Sequence, residues 1–409
     1  KNKKLYPGIE GTLQNDGQWP TYLGNNQRQA ASPTSLPFPL KQQWLYKARH
    51  KPQPAWPLPA KMDFWREKAP IARVIYDRAY HLVGQGNLMY FGSSADHKIY
   101  CLDSRTGKEV WSYFTEGPVR LAPSLSGNKV LTGSDDGYIY CNDALTGKLL
   151  WRQRLGKEDN RLPGNERIIS TLPVRTGVLV ADQVAHFCAG LFPSQGVFRG
   201  AAELNSGKIL ANKALHYSAQ GYLKENSGQI EFAQGRVPAK KFLVALKRNF
   251  KDISPEVLRL PQEYSCSFIK AANVHIGGGD GKIIALDGTK NKVLWRAQVE
   301  GRVYSLAVIN GRLYASTDAG YIYCFSGKVK QSLTVNGKTK ARSPYSSSKD
   351  KSRTEKITKY LLKKRSQLHK GYALLVGLST KEIYSLCKYS DYQIIAVEQN
   401  PAMLEKMRR

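Results

Sequence analysis

The sequence predicts an all-β fold that repeats one four-stranded unit, and three observations carry that prediction. A stretch from Gly133 to Trp151, GSDDGYIYCNDALTGKLLW, has a near copy in GSSADHKIYCLDSRTGKEVW, which ends at Trp111. Weaker copies follow: AAELNSGKILA with Ala211 in the tryptophan slot, GGGDGKIIALDGTKNKVLW ending at Trp295, and STDAGYIYCFSGK, which breaks off after Gly327. In three copies an aspartate stands eight residues before the tryptophan: Asp103 and Trp111, Asp143 and Trp151, Asp287 and Trp295. The strong copies recur about every 40 residues, the period of a β-propeller blade with four short strands.

Each part of the unit has a local reason. The opening Gly/Asp turn leads into alternating aromatic and aliphatic residues, the signature of a half-buried strand. The turn D-x-x-T-G follows, in which the aspartate accepts backbone N–H bonds while Gly107 or Gly147 takes a positive φ. The closing tryptophan is a large flat side chain suited to packing between neighbouring blades. Slots at Trp44, Trp111, Trp151, Ala211, about residue 250, Trp295 and about residue 331 give a β-propeller of about seven to eight four-stranded blades over residues 17–337, with Trp44 beginning the first.

The repeat D-x-x-T-G-x-x-x-W on this period resembles the pyrroloquinoline-quinone-type propeller repeat of quinoprotein alcohol dehydrogenases and of propeller lipoproteins in outer-membrane assembly. QWPTYLGNNQR, residues 18–28, looks like the usual first strand of such propellers. The resemblance implies a cell-envelope location and a binding scaffold whose protein partner or ligand sits on the loops. The alternative it implies is a pyrroloquinoline-quinone-dependent oxidoreductase. Those enzymes carry adjacent cysteines beside the quinone and a Ca²⁺ site, and this sequence has no Cys-Cys pair and no recognisable set of Ca²⁺ ligands.

The remaining cysteines and histidines point to no metal. Cys101, Cys141 and Cys324 all follow Ile-Tyr in the same repeat slot, which places each in a different blade, too far apart for a disulfide. No C-x-x-C or H-x-x-x-H pair occurs, so a zinc site is not expected. No apolar run reaches the roughly 18 residues that a membrane span needs.

Three irregular regions interrupt the blades. Residues 45–80 hold five prolines with Trp56, Phe64 and Trp65, which reads as an ordered insertion across a blade edge. Residues 157–182 and 216–239 carry turn residues and scattered arginines, Arg161, Arg167, Arg175 and Arg236 among them. Loops on a rigid ring are where binding residues concentrate.

The formal net charge is +30, and its densest part lies between Lys328 and Lys370, where 14 Lys/Arg face only Asp350 and Glu355. Residues 338–353 read as a basic flexible linker, and the run as a whole admits contact with nucleic acid or another anionic surface.

Beyond the linker the period changes. Thr354–His369 reads as an amphipathic helix with a basic face, followed by apolar strand, glycine turn, helix and a second apolar strand, Ile394 to Val397. That is a Rossmann-like βαβ segment. It resembles the first half-motif of class I S-adenosylmethionine-dependent methyltransferases. The resemblance implies S-adenosylmethionine as cofactor, with Gly377 as the first glycine of the cofactor turn, Ser379 beside it, and Glu398 as the acid that binds the ribose. Residues 354–409 are expected to be the N-terminal part of such a domain, with the rest, any catalytic residue and any methyl acceptor beyond this chain.

Overall fold

The repeats fold into antiparallel four-stranded sheets in the computed structural model, which describes residues 17–55, 76–164, 167–231, 260–337, 344–364, 370–377 and 379–408. The chain divides into two units, Lys1–Lys338 and Thr339–Arg409. In the first unit the first sheet holds strands Val83–Gln85, Leu88–Gly92, Lys98–Asp103 and Glu109–Phe114. The second holds Ser124–Ser126, Lys129–Gly133, Tyr138–Asp143 and Leu149–Arg154. The third runs from Leu179–Ala181 through Val184–Ala189 and Val197–Glu203 to Ile209–Leu215. A hairpin, Lys224–Asn226 with Gln229–Glu231, follows it.

One long strand, Val293–Ile309, serves two sheets. Up to Arg302 it closes the fourth sheet, behind Ser267–Ala271, Val274–Gly278 and Asp280–Asp287; from Val303 it opens the fifth, ahead of Arg312–Thr317 and Tyr321–Ser326. The fifth sheet's outer strand comes from the other end of the sequence: Lys41–Lys47 pairs antiparallel with Tyr321–Ser326. Leu333–Asn336 then lies parallel along its far edge.

This pairing corrects the sequence reading. Trp44 does not begin the first blade. Opposite Cys324, it fills the tryptophan slot of the last sheet, as Trp111 stands opposite Cys101, Trp151 opposite Cys141 and Trp295 opposite Ala285. The slots counted at residue 44 and near residue 331 therefore belong to one sheet. Ala211, opposite Ala201, occupies the same slot in the third sheet, and the slot near residue 250 lies outside the described residues.

One residue before each slot the register slips, a β-bulge common to all five sheets. The extra residue is turned off the ladder. That is why Leu150, Leu210 and Leu294 are exposed while the tryptophan after Leu150 and the one after Leu294 are buried. In the first three sheets the turn opened by an acid (Asp103, Asp143 or Glu203) receives the tryptophan of the sheet before it, and Trp295 of the fourth sheet reaches the start of strand Lys41–Lys47 in the fifth. The indole N–H of Trp44 donates to Ser104 O at 3.1 Å, that of Trp111 to Ala144 O at 2.9 Å, that of Trp151 to Leu204 O at 3.0 Å and that of Trp295 to Leu40 O at 2.8 Å. The first three acceptors each follow the acid that opens the turn.

The turns form through the aspartates. Asp103 Oδ1 accepts from Arg105 N at 2.8 Å, Asp143 Oδ1 from Thr146 N at 2.8 Å and Asp287 Oδ1 from Thr289 N at 2.8 Å. At Asp287 these bonds, the Thr289 hydroxyl's first, bring the carboxyl down to about 2. Gly107 and Gly147 have φ of 70° and 72°, and a second constraint joins the first: a Cβ on Gly147 would stand 2.6 Å from Trp111 Cδ2. Gly147→Ala is therefore expected to cost about 2–3 kcal/mol, part from the left-handed backbone and part from displaced indole. The same change at Gly127, also at positive φ but with nothing within 4 Å, is expected to cost only about 1 kcal/mol. Urea midpoints of the two variants check the difference.

QWPTYLGNNQR is not a strand. The segment from Gly17 to Ser32 is mostly turns, and it bonds to every sheet in succession: Gly17 O with Asn310 N, Trp19 with Gly84 in both directions, Pro20 O with Leu125 N, Asn26 Nδ2 with Val180 O, Asn26 O with Glu225 N, and Ala30 O with Lys270 N. It visits the fifth, first, second and third sheets, the hairpin and the fourth sheet in that order. With Trp44 on the first sheet's turn, the sheets follow one another in a circuit, as in a propeller.

The irregular regions gain structure in part. Residues 157–182 contain a hairpin, Arg161–Gly164 with Arg167–Ser170. Gly221–Tyr222, within 216–239, pairs parallel with Thr176–Gly177. Of the insertion at 45–80, residues 56–75 with Trp56, Phe64 and Trp65 lie outside the described residues.

In the second unit α1 spans Ser348–Lys364, α2 Thr380–Tyr389 and α3 Pro401–Arg408. Strands Lys370–Val376 and Asp391–Val397 pair in parallel, with Val376 opposite Val397. The helix starts six residues earlier than the linker reading of 338–353 placed it, because Ser347 Oγ accepts the Asp350 N–H at 3.1 Å and caps the first turn. Thr354, Thr358 and Leu362, at successive i+4 steps, are the buried positions of α1. Ion pairs Asp350–Lys381 at 2.8 Å and Glu355–Lys388 at 2.9 Å tie it to α2.

Candidate functional site

Four charged side chains from four loops of the first unit meet out of solvent. Asp77 precedes the first sheet, Arg120 links the first to the second, Asp135 sits in a turn of the second, and Arg175 leads into the third. All four are buried, Asp135 completely. Arg120 Nε donates to Asp135 Oδ2 at 2.6 Å, and its Nη1 donates to Asp77 Oδ2 at 3.0 Å and to Gln53 O at 2.8 Å. Arg175 holds the same Asp135 in a fork, Nε to Oδ1 at 2.5 Å and Nη2 to Oδ2 at 3.1 Å. Ala55 N closes on Asp77 Oδ2 at 2.7 Å.

Two carboxylates and two guanidiniums balance, which is the condition under which charges survive burial. Burial alone would raise the Asp135 carboxyl, but the facing Arg120 and Arg175 outweigh it and hold the group below the ordinary aspartate range. At Asp77 burial prevails over Arg120 and pushes the carboxyl up. Burial likewise pulls Arg175 below its ordinary value. Two atoms of the cluster, Arg175 Nη1 and Asp77 Oδ1, have no hydrogen-bond partner among the described residues.

Around this cluster the ring is aromatic and proton-poor. Tyr22 stacks on Tyr222 with centroids 3.6 Å apart, and His81 stands edge-on to Tyr22 at 5.1 Å. Burial brings His81 down to about 4; burial with the nearby Arg167 does the same for His97. Unfolded histidine takes a proton near 6.5 and these two only near 4, so stability is complete above 6.5 and falls as the pH drops towards 4. Unfolding free energy measured across that window is expected to decline with acid, and His81→Gln to flatten the slope.

The carboxylates of the cluster are engaged by arginine, and among the described residues no group of three or more His, Cys, Asp or Glu is placed to hold a metal ion. Cys101, Cys141, Cys188 and Cys324 are buried and free, their thiols pushed up by burial. A thiol in that state is a poor nucleophile.

In the second unit the glycine and the acid chosen from the sequence fall side by side. Gly377 follows Val376 and Glu398 follows Val397, so both stand at the C-terminal ends of neighbouring parallel strands. Gly377 has φ 69° and nothing within 4 Å of where a Cβ would be. The Ser379 hydroxyl is occupied as the cap of α2, accepting from Lys381 N, within a capping box with Glu382. Glu398 Oε1 accepts from Asn400 N at 2.7 Å, inside its own turn.

Sequence reasoning missed Asp77, Arg120 and Asp135 and noted Arg175 only as an arginine in an irregular loop. The one local signal was the acidic pair Asp135-Asp136 in a turn where the first repeat has Ala95-Asp96. Asp136 serves its own turn, accepting from Tyr138 N at 2.9 Å and from the Tyr140 hydroxyl at 2.7 Å.

A family model described as outer membrane protein assembly factor BamB matches residues 63–219, the stretch that contains the first three sheets. No curated protein matches the chain. Among solved structures it is similar to a quinohemoprotein alcohol dehydrogenase from Comamonas testosteroni, at 11% identity and a TM-score of 0.46, covering 87% of this chain and 86% of that one. BamB from Moraxella catarrhalis aligns at 15% identity and a TM-score of 0.27, over 62% of this chain and 83% of that one. The Pan2 WD40 domain of Neurospora crassa aligns at 10% identity and a TM-score of 0.42, over 74% and 99%. The repeated four-stranded sheets and the family match support a propeller-like, mostly β fold of quinone-type repeats in the first unit.

Proposed function

We propose that the first unit is a binding scaffold for a protein partner, engaged through the last two strands of the second sheet and the hairpin that follows them. The observation that carries this reading is a cluster of arginine and tyrosine there. Arg152 and Arg154 lie over the Tyr138 ring at 4.6 and 5.5 Å, and Glu116 accepts from both Arg152 and Arg161 at 3.0 and 2.9 Å. These pairs are partly exposed, so they add little to stability. Arginine and tyrosine are, however, the residues that dominate protein interfaces. The match to an outer-membrane assembly factor supports the same reading and, with it, a cell-envelope location.

The test is cross-linking in an extract of the source cells. A partner retained by the intact chain and lost from an Arg152→Glu, Arg161→Glu variant of unchanged melting temperature supports the scaffold. Equal retention by both, or a bound chromophore on adding pyrroloquinoline quinone with Ca²⁺, contradicts it.

For the second unit we infer a nucleoside-binding βαβ module of the S-adenosylmethionine-dependent type, supported by the adjacent Gly377 and Glu398. Strand ends of this kind open onto a crevice where ribose hydroxyls find a carboxylate acceptor. Calorimetric titration with S-adenosylmethionine is expected to give heat that Glu398→Ala abolishes. No heat from the intact chain contradicts the inference. Methyl transfer is not assigned to any residue of this chain.

A further inference from the structure

Helix α1 is turned the wrong way for an ordinary surface helix. The stripe it buries is Thr354, Thr358 and Leu362, while Ile357, Tyr360 and Leu361 are exposed by 50, 59 and 55%. A helix normally puts its aliphatic residues inward and its threonines outward. The exposed side is also strongly basic. Seven Lys/Arg fall within Ser348–Lys364 against two acids, Asp350 and Glu355. Both acids are spent on Lys381 and Lys388 of α2, so neither neutralises the outward face. Lys349, Arg353 and Lys356 are exposed and, at 100° per residue, fall within about 100° of Ile357, on the side away from Thr358.

We propose that this face of α1 docks on an anionic lipid surface. Aliphatic side chains flanked by lysine and arginine on one exposed helical face are what an interfacial helix needs: the apolar groups enter the acyl boundary and the cations meet the headgroups. A helix of 17 residues, about 25 Å long, lies flat there and does not span. Charge alone would equally suit nucleic acid, but phosphate backbone offers nothing to Ile357 and Leu361. The aliphatic pair is what selects lipid.

The experiment is co-sedimentation of the full chain with vesicles, phosphatidylcholine alone against phosphatidylcholine with phosphatidylserine. Binding is expected only to the phosphatidylserine vesicles and is expected to weaken steeply with added salt. Ile357→Ser with Leu361→Ser should lower the partition coefficient about tenfold at unchanged thermal midpoint, since both side chains are already in water in the free protein. Lys349→Glu with Lys356→Glu should abolish binding. No binding to either vesicle overturns the proposal, as does equal binding to both. Retention on DNA with no loss in the serine variant, and no vesicle binding, would overturn it in favour of a nucleic-acid surface.

Discussion

Asp135→Ala is expected to destabilise the first unit by about 3–5 kcal/mol, among the largest effects of any single substitution in it. The carboxylate is fully buried and receives three arginine N–H bonds, two of them from the Arg175 fork. Its removal leaves Arg175 with no carboxylate and Arg120 with only Asp77, so that two buried guanidiniums face a single carboxylate. Asp135→Asn tests the origin of the loss. It keeps the shape and one acceptor oxygen but not the charge, and is expected to fall between wild type and alanine. Because the arginines hold the Asp135 carboxyl below its ordinary range, its contribution is present at neutral pH and lost as the pH falls through that lowered value. The difference between wild type and Asp135→Ala in urea unfolding should therefore shrink in strong acid.

Trp44→Ala is expected to cost about 3–5 kcal/mol, at least as much as Trp111→Ala or Trp151→Ala. Trp44 is fully buried, whereas Trp111 and Trp151 keep 9 and 8% of their surface exposed. Its ring lies 5.8 Å from that of Tyr314 and covers Gly107, where a Cβ would come within 2.8 Å of the indole. It also sits on the strand that pairs with Tyr321–Ser326 and so joins the two ends of the repeat array, and its loss weakens that seam as well as one interface. Trp44→Phe should recover most of the loss. Ser104 O would still accept from the Tyr314 hydroxyl at 2.9 Å, leaving a deficit near 1 kcal/mol. Urea midpoints of the three tryptophan variants give the order.

What could be read from the sequence was what neighbouring residues decide among themselves. The Asp143, Thr146 and Gly147 turn is made by five consecutive residues, and it announces itself wherever it recurs. The same holds for the strand ends at Gly377 and Glu398, which an apolar run places directly. What could not be read was pairing between distant parts. Lys41–Lys47 joins residues some 280 positions away, and nothing in KQQWLYK says which strand it will meet. QWPTYLGNNQR resembled a first strand because its residues suit one. Its bonds instead go outward, one or two to each sheet, an arrangement that only a ring already present can offer. The cluster of Asp77, Arg120, Asp135 and Arg175 draws one residue from each of four loops, so no window of sequence contains it. The glycines were read as turn formers alone; that Gly147 also makes room for Trp111 needed both sheets in view. In α1 the exposed Ile357 and Leu361 had the spacing of a buried face, and periodicity does not say which way a helix turns.

The central claim is that the outer strand of the last sheet comes from residues 41–47, ahead of the first sheet. Lys41 and Ser326 are register partners at the open end of that pairing. A Lys41→Cys, Ser326→Cys variant, made in a Cys387→Ser background, tests it by oxidation of the folded chain and mapping of the bridged peptides. A disulfide between positions 41 and 326 that raises the unfolding midpoint is the expected result, since it closes a loop of nearly the whole first unit. Failure of the two thiols to join while the protein stays folded would contradict the closure, and with it the circuit of sheets on which the binding scaffold rests.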